Sequence, residues 1–194
     1  LPMPQKDGVL IVAEIGISHA CSMKLAKKLI QAAHKAGAQV AKFKLYDVDT
    51  LFPTQEIVVD GRNWYKEVKQ TQLTFEQVKW LKETCELVGI EFMASTFDQE
   101  RLMWLEELKV ERHKAGVRAT SDRRLLEGMA ATGKEVFVSL NEGKPLGFLL
   151  RGNIKYLYCV PQYPTPADKF KLSKVDFNKF SGLSSHYPGI EPAM

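Results

Sequence analysis

Charged side chains stand where the first two predicted strands end. Glu14 and His19 follow an unbroken apolar run, and Lys42 and Lys44 close the next one. Parallel α/β folds place their ligands at the carboxyl ends of their strands. A lysine that follows apolar strand residues is costly to bury unless it meets an anion. A carboxylate beside such a lysine therefore predicts a functional site that binds an anionic group.

The elements that position these residues form one βαβ unit. The apolar run 9–13 is rich in β-branched residues and predicts a strand buried on both faces. A helix is predicted over 22–36, with Ser22 as its N-cap and Gly37 at the C′ position. Residues 39–44 return as a second strand, which we expect to be parallel to the first. Glu14 and Lys42 should then lie side by side.

Strands and helices alternate along the rest of the chain. The further predicted strands cover 90–95, 111–117, 136–140, 154–160 and 182–186, and the further helices 74–89, 99–108 and 122–131. Seven strands in βα units predict an α/β fold, a TIM-type (β/α) barrel that is incomplete by about one unit. A doubly wound open sheet is the alternative, although no Gly-rich phosphate loop follows the first strand.

Two connections carry their own predictions. The stretch 46–72 is polar and turn-rich, with the aromatic pair Trp64 and Tyr65. So long a connection is often a substrate-covering loop. A surface excursion pinned by the two aromatics is an equal alternative. The glycines and the proline between residues 142 and 152 leave room for only a turn or two of helix.

Composition bounds the class of protein. The 194 residues are 45% hydrophobic, which suits a single domain over 1–194. No apolar run approaches the ~20 residues of a membrane helix, and from the polar, turn-like N-terminal residues we expect no signal peptide. Three cysteines without metal-type spacing indicate reduced thiols and a cytoplasmic location, and we expect them to be buried apolar residues. A formal charge of +4 without a basic tract argues against nucleic acid as a partner.

Short motifs along the chain resemble those of the sialic acid synthases, which are the N-acetylneuraminate synthases and their legionaminate and pseudaminate relatives. The matching stretches are 13–19, 42–44, 95–98, 114–116, 133–134, 163–166 and 184–186. Their order and most of their spacing agree with the family. The resemblance therefore covers nearly the whole chain.

The resemblance implies an activity. Sialic acid synthases condense phosphoenolpyruvate with an N-acetylated amino sugar, usually N-acetylmannosamine, and release phosphate. A divalent metal, Mn²⁺ or Mg²⁺, polarises the sugar aldehyde. The C-terminal antifreeze-like domain that is common in the family has no counterpart within residues 1–194. The expected partners are thus the two small-molecule substrates.

The same resemblance gives each matched residue a role. Glu14, Lys42 and Lys114 match catalytic positions, and the two lysines are expected to face the phosphoenolpyruvate anion. His186 matches one of the family's two metal-ligand histidines. The expected substrate-binding residues are Ser95, Arg118, Ser139, Asn141, Tyr163, Thr165 and Ser184.

Several positions depart from the family pattern. Tyr158 replaces the second metal histidine, and a phenol is a poor ligand for a hard divalent ion unless it ionises. We expect Tyr158 to pack in the barrel instead. Val117 replaces a serine that helps hold phosphate, and Arg118 is a candidate substitute for that anion contact. Lys44 stands where the family usually has glutamine.

Three functions remain open at this stage. The first is a sialic acid synthase. The second is a catalytically degenerate homologue that binds an anionic sugar or a partner without turnover. The third is another phosphoenolpyruvate-dependent 3-deoxy-ulosonate synthase. The missing eighth strand would leave an uncovered sheet edge, so we also expect a homodimer.

Overall fold

The structure is a computed structural model that describes residues 8–59 and 61–189. The chain divides into two compact units, Leu1–Val110 (unit 1) and Glu111–Met194 (unit 2). The predicted turn-like N-terminal residues 1–7 and the last five residues lie outside the described part. One domain over 1–194 stays a prediction, and each unit is described by itself.

Unit 1 is built on three parallel strands. Its elements, in chain order, are β1 (Val12–Gly16), α1 (Met23–Lys35), β2 (Val40–Leu45), α2 (Val48–Leu51), β3 (Val58–Val59), β4 (Arg62–Asn63), α3 (Trp64–Lys69), α4 (Phe75–Val88), β5 (Glu91–Thr96) and α5 (Gln99–Glu107). β2 pairs in parallel with β1 and with β5. α1, α4 and α5 contribute apolar side chains to the core of the unit, as amphipathic helices do.

The first strand lies later in the chain than predicted. It begins at Val12, and Val9 and Ile11, which the pattern placed in a buried strand, are 61% and 43% exposed. Pairing explains the difference, because the first register pair joins Val12 to Val40 at the start of β2. Ile11 bonds to the start of β2 through its carbonyl, which accepts from the N–H groups of Gln39 and Val40, while its own N–H donates to the Gln39 side chain. Regular strand pairing therefore begins one residue later, at Val12.

The two predicted helices with clear capping signals are confirmed. The Ser22 hydroxyl accepts a hydrogen bond from the backbone N–H of Leu25 at 3.2 Å, as an N-cap should. Thr74 and Gln77 form the predicted capping box at the start of α4. Gly89 ends α4 with φ of +83°, a conformation that glycine adopts without strain.

The connection over 46–72 contains elements that the sequence pattern did not indicate: α2, the β3–β4 hairpin and α3. They pack on a small cluster that includes Phe52, Tyr65 and Val68. Tyr65 is buried there, with its ring centroid 6.4 Å from that of Phe52, whereas Trp64 is 40% exposed. One aromatic of the pair, not both, anchors the excursion.

Unit 2 contains four parallel strands. Its elements are β6 (Arg112–Ala115), a 3-10 helix (Val117–Ser121), α6 (Arg123–Ala131), β7 (Glu135–Asn141), β8 (Ile154–Cys159), two 3-10 turns (Ala167–Lys169 and Leu172–Lys174) and β9 (Gly182–Ser184). β7 pairs in parallel with β6 and β8, and β8 with β9. β9 ends at Ser184, two residues before the predicted end. Residues 142–152 form turns, and the turn or two of helix expected there is absent.

Two expectations from composition, on membrane helices and on cysteines, can be compared with the structure. Among the described residues, no helix is both long and apolar enough to cross a membrane. All three cysteines are free thiols. Cys85 and Cys159 are buried as predicted, and burial raises the pKa of Cys85 to about 12. Cys21 is only half-buried, so for it the expectation was wrong.

Candidate functional site

The strand ends of unit 1 bring polar side chains together. In the parallel register Glu14 lies opposite Lys42, as the βαβ interpretation predicted. Lys44 lies opposite Ser95 on the other side of β2. Because side chains alternate along a strand, Lys42 and Lys44 share one face of β2.

Lys42 is the centre of this group. Its side chain is buried, and its Nζ donates hydrogen bonds to the Glu14 carboxylate and, at 3.2 Å, to the Ser95 hydroxyl. The Glu14 side chain is 43% exposed, so the pair has one buried and one accessible partner. A buried ammonium needs such a counter-ion, and an accessible carboxylate can meet substrate or water. Three residues predicted for the site are thus in contact.

Gly16 lets Glu14 take this position. β1 has an irregularity between Glu14 and Gly16, and Gly16 has φ of +56°. A Cβ at residue 16 would lie 3.0 Å from Oε1 of Glu14. Glycine fits here because it tolerates positive φ and leaves space for the carboxylate. The sequence signal was available as a glycine two residues after a strand-end carboxylate.

Lys44 is a second amine on the same face. It is half-buried, and burial lowers the pKa of its side chain. Glu14 offsets part of this effect, and Lys42 lowers the pKa further. The three charged side chains therefore influence one another electrostatically. Lys44 was noted as a departure from the family pattern and was not among the predicted site residues.

His19 closes the loop that follows β1. Its ring is fully buried, and Nδ1 accepts a hydrogen bond from the backbone N–H of Cys21 at 3.0 Å. Nε2 consequently carries the proton, and within the described residues it has no hydrogen-bond partner. Burial lowers the pKa of His19. His19 is thus a loop residue hydrogen-bonded to the backbone.

Unit 2 holds a second buried lysine. The Nζ of Lys114 donates to the Ser139 hydroxyl at 2.7 Å and to the Ala115 carbonyl at 2.8 Å. Lys114 and Ser139 are both buried, on neighbouring strands β6 and β7. Two residues assigned by the resemblance are therefore in direct contact. The arrangement repeats the lysine–serine contact of unit 1.

The remaining predicted residues of unit 2 lie at the same ends of its strands. Asn141 and Ser184 are both level with Cys159, on either side of β8. Arg118 lies in the 3-10 helix after β6 and is exposed. An exposed guanidinium can meet an anion from solvent, but Arg118 is not buried as Lys114 is.

The loop after β8 forms a third group. The His186 ring lies against that of Tyr163, with a centroid separation of 3.8 Å. His186 Nδ1 is 3.1 Å from the Val160 carbonyl, which can only accept, so the proton is on Nδ1. The buried Thr165 joins the same loop, since its N–H donates to the His186 carbonyl at 3.0 Å and its hydroxyl to the Gln162 carbonyl at 2.7 Å.

The described residues offer few side chains that could ligate a divalent metal. No group of three or more His, Cys, Asp or Glu side chains with the arrangement of a metal site occurs in the described part of the chain. Tyr158, at the position of the family's second histidine, is buried and packs edge-to-face on Phe180 at 5.9 Å. Burial raises the pKa of Tyr158, helped by Glu142 and Cys159, which disfavours the phenolate that a metal would need. Tyr158 is a packing residue, as predicted.

Comparison with known proteins decides the family. The profile of the NeuB family matches residues 29–194. The chain belongs to the NeuB family. The resemblance of the strand-end motifs to the sialic acid synthases is thereby confirmed.

The relatives of this NeuB-family chain are longer proteins. It is 30% identical over 206 residues to the N,N'-diacetyllegionaminic acid synthase of Legionella pneumophila, covering 93% of this chain and 58% of the relative. It is 25% identical over 206 residues to the N-acetylneuraminate-9-phosphate synthase of Mus musculus, covering 95% of this chain and 57% of that protein. The chain thus spans somewhat more than half the length of these relatives.

A solved structure supports the fold over nearly the whole chain. The N-acetylneuraminic acid synthetase of Leptospira borgpetersenii matches with a TM-score of 0.84 and 27% identity, over 95% of this chain and 67% of that one. The predicted α/β fold, a TIM-type barrel with about seven βα units, is confirmed.

Proposed function

We propose that this NeuB-family chain condenses phosphoenolpyruvate with an N-acetylated amino sugar, such as N-acetylmannosamine, to a nonulosonic acid and phosphate. The observation that carries the proposal is the buried Lys42 held between Glu14 and Ser95 at the strand ends of unit 1. The names of the relatives, which are legionaminic and neuraminic acid synthases, support the same class of reaction.

The reaction balances without a redox step. The C3 atom of phosphoenolpyruvate bonds to the sugar aldehyde carbon, whose oxygen takes up a proton. Water adds its oxygen to C2 and loses a proton, and the bond from C2 to the phosphate oxygen then breaks. Phosphate leaves with the proton of the C2 hydroxyl, and C2 becomes a ketone. Negative charge develops on the aldehyde oxygen as the C–C bond forms, so fixed cationic and hydroxyl donors that meet it lower the barrier.

The two lysine–serine contacts suit these demands. Lys42 presents an ammonium group and Ser95 a hydroxyl, while the Glu14 carboxylate keeps the amine in position. Lys114 and Ser139 offer the same pair of donors in unit 2. A carboxylate that is partly open to solvent, as Glu14 is, can also accept a proton from water. A bound Mn²⁺ or Mg²⁺ would supply polarisation of the sugar aldehyde, with His186 as the ligand that the family resemblance assigns. The described residues contain no cluster of three or more His, Cys, Asp or Glu ligands for it.

Binding without turnover is the second candidate, and Tyr158 is the observation that favours it. This phenol stands in place of a metal ligand, and its raised pKa keeps it neutral. A protein that retains anion-binding lysines without a metal site would still bind phosphoenolpyruvate. The third alternative, a 3-deoxy-ulosonate synthase, has no observation of its own in its favour.

A phosphate-release assay separates these candidates. The full chain is incubated with phosphoenolpyruvate and N-acetylmannosamine, once with Mn²⁺ and once with a chelator, and Lys42→Ala serves as the control. Phosphate release above this control supports the synthase. No release above Lys42→Ala, together with phosphoenolpyruvate binding by calorimetry, would favour the binding protein.

We further propose that the chain acts in the cytoplasm and has no nucleic-acid or membrane partner.

A further inference from the structure

The C-terminal end of β2 carries an uncommon concentration of charge. Lys42 and Lys44 stand two residues apart on one face, and Glu14 lies level with Lys42 on the neighbouring strand. Ser95, opposite Lys44 in the register, contacts Lys42 through its hydroxyl. Two amines, one carboxylate and one hydroxyl thus share the end of three adjacent strands.

The ammonium form of Lys44 is held in an unfavourable setting. Burial is the largest reason, because a charged group loses hydration there. Lys42 adds repulsion, and the attraction of Glu14 only partly compensates. A ligand that brings negative charge to this face would counter both the desolvation and the repulsion. A neutral ligand would do neither.

We propose that Lys44 is a specificity-determining residue that, with Lys42, binds a phosphate or carboxylate group of the substrate. The inference rests on the proposed function and deepens it, since it states which chemistry the end of β2 recognises. Glutamine, the usual residue at this position in the resembling family, can donate a hydrogen bond but adds no charge. The lysine in this chain therefore shifts recognition at β2 toward an anion.

Two substrates offer such a group. Phosphoenolpyruvate carries both a phosphate and a carboxylate, and a phosphorylated amino sugar would carry a phosphate. Titration calorimetry on the full chain can separate them, with phosphoenolpyruvate, N-acetylmannosamine 6-phosphate and neutral N-acetylmannosamine as three separate ligands. The proteins are the unsubstituted chain, Lys44→Gln, Lys44→Arg and, as a matched control, Lys35→Gln on the exposed side of α1.

Lys44→Gln should weaken binding of at least one anionic ligand by about tenfold, which is the effect of losing one charge-assisted hydrogen bond. Lys44→Arg should retain affinity because it keeps the charge, and Lys35→Gln should match the unsubstituted chain. A loss confined to phosphoenolpyruvate assigns Lys44 to that substrate. A loss confined to the phosphorylated sugar assigns it to the acceptor.

The inference is overturned if Lys44→Gln binds both anions as tightly as the unsubstituted chain, or if that chain binds neither. Thermal unfolding checks that Lys44→Gln is folded, and Lys44→Met repeats the test should it not be. Binding is measured without turnover, so the outcome does not depend on phosphate release. A synthase whose Lys44→Gln variant keeps its anion affinity would retain the proposed function and lose this inference alone.

Discussion

Gly16 sets the position of the Glu14 carboxylate. Glu14 lies opposite Lys42 in the regular register, and the strand irregularity follows it, between residues 14 and 16. The turn uses positive φ at Gly16, and the carboxylate occupies the space where a Cβ would be. Gly16 therefore leaves room for the Glu14 carboxylate beside Lys42.

Gly16→Ala should destabilise the protein and disturb the ion pair. Positive φ costs a residue with a Cβ roughly 1–2 kcal/mol, and the methyl group would press on Oε1 of Glu14. We expect a lower midpoint in urea unfolding and weaker phosphoenolpyruvate binding. Gly147→Ala is the matched control, since a Cβ there meets nothing within 4 Å. Equal unfolding midpoints for the two variants would contradict the role of Gly16.

Residue-level prediction from the sequence succeeded where chemistry constrains the residue. A lysine that follows apolar strand residues, as Lys42 does, needs a counter-ion. The βαβ interpretation placed the Glu14 carboxylate on the neighbouring strand, so their contact was predictable. Gly16 and Lys44 were not assigned to the site. The role of Gly16 depends on its backbone conformation, and that of Lys44 depends on its position relative to the charges of Glu14 and Lys42. Neither the backbone conformation nor the arrangement of charges can be inferred from one residue type alone.

At the scale of elements, helices with local signals were predicted to within a residue or two. α1 and α4 have capping side chains and glycines that act within one turn, so sequence alone carries the information. β1 was misplaced because a strand is defined by its partner. α2 and α3 were missed because helices of 4 and 6 residues depend on tertiary packing, here around Phe52 and Tyr65.

The loop between β1 and α1 should make the protein sensitive to acid. The unfolded chain protonates His19 near the ordinary pKa of about 6.5, whereas burial lowers the pKa in the folded state. The unfolded state then binds more protons below pH 6.5, and the free energy of unfolding falls as pH drops. Protonation would also place a hydrogen on Nδ1, which already accepts the Cys21 N–H.

His19→Asn should remove this sensitivity, because asparagine can accept the same N–H and does not titrate. We expect the slope of unfolding free energy between pH 7 and pH 5 to decrease, by at most about 1.4 kcal/mol per pH unit. Urea unfolding across this range measures it, with His34→Asn on the exposed side of α1 as the matched control. A slope unchanged in His19→Asn would show that another group dominates.

At the scale of the whole molecule, the start of β1 predicts self-association. Among the described strands, β1 pairs on one side with β2. The residues that lead into it, Val9 and Ile11, are exposed and apolar. An edge strand with apolar residues at its entry is a ready surface for pairing with a second chain. We therefore expect a homodimer.

Light scattering at micromolar concentration tests this expectation by comparing the mass of the unsubstituted protein with that of a variant that carries a charge near β1. Ile11→Lys should shift the protein toward the monomer, because a lysine at the entry to an edge strand opposes pairing. Leu87→Lys is the matched control: Leu87 is 89% exposed on α4, so its change adds the same charge away from β1. A dimer that survives Ile11→Lys would place the interface elsewhere, and a monomeric unsubstituted chain would refute the expectation.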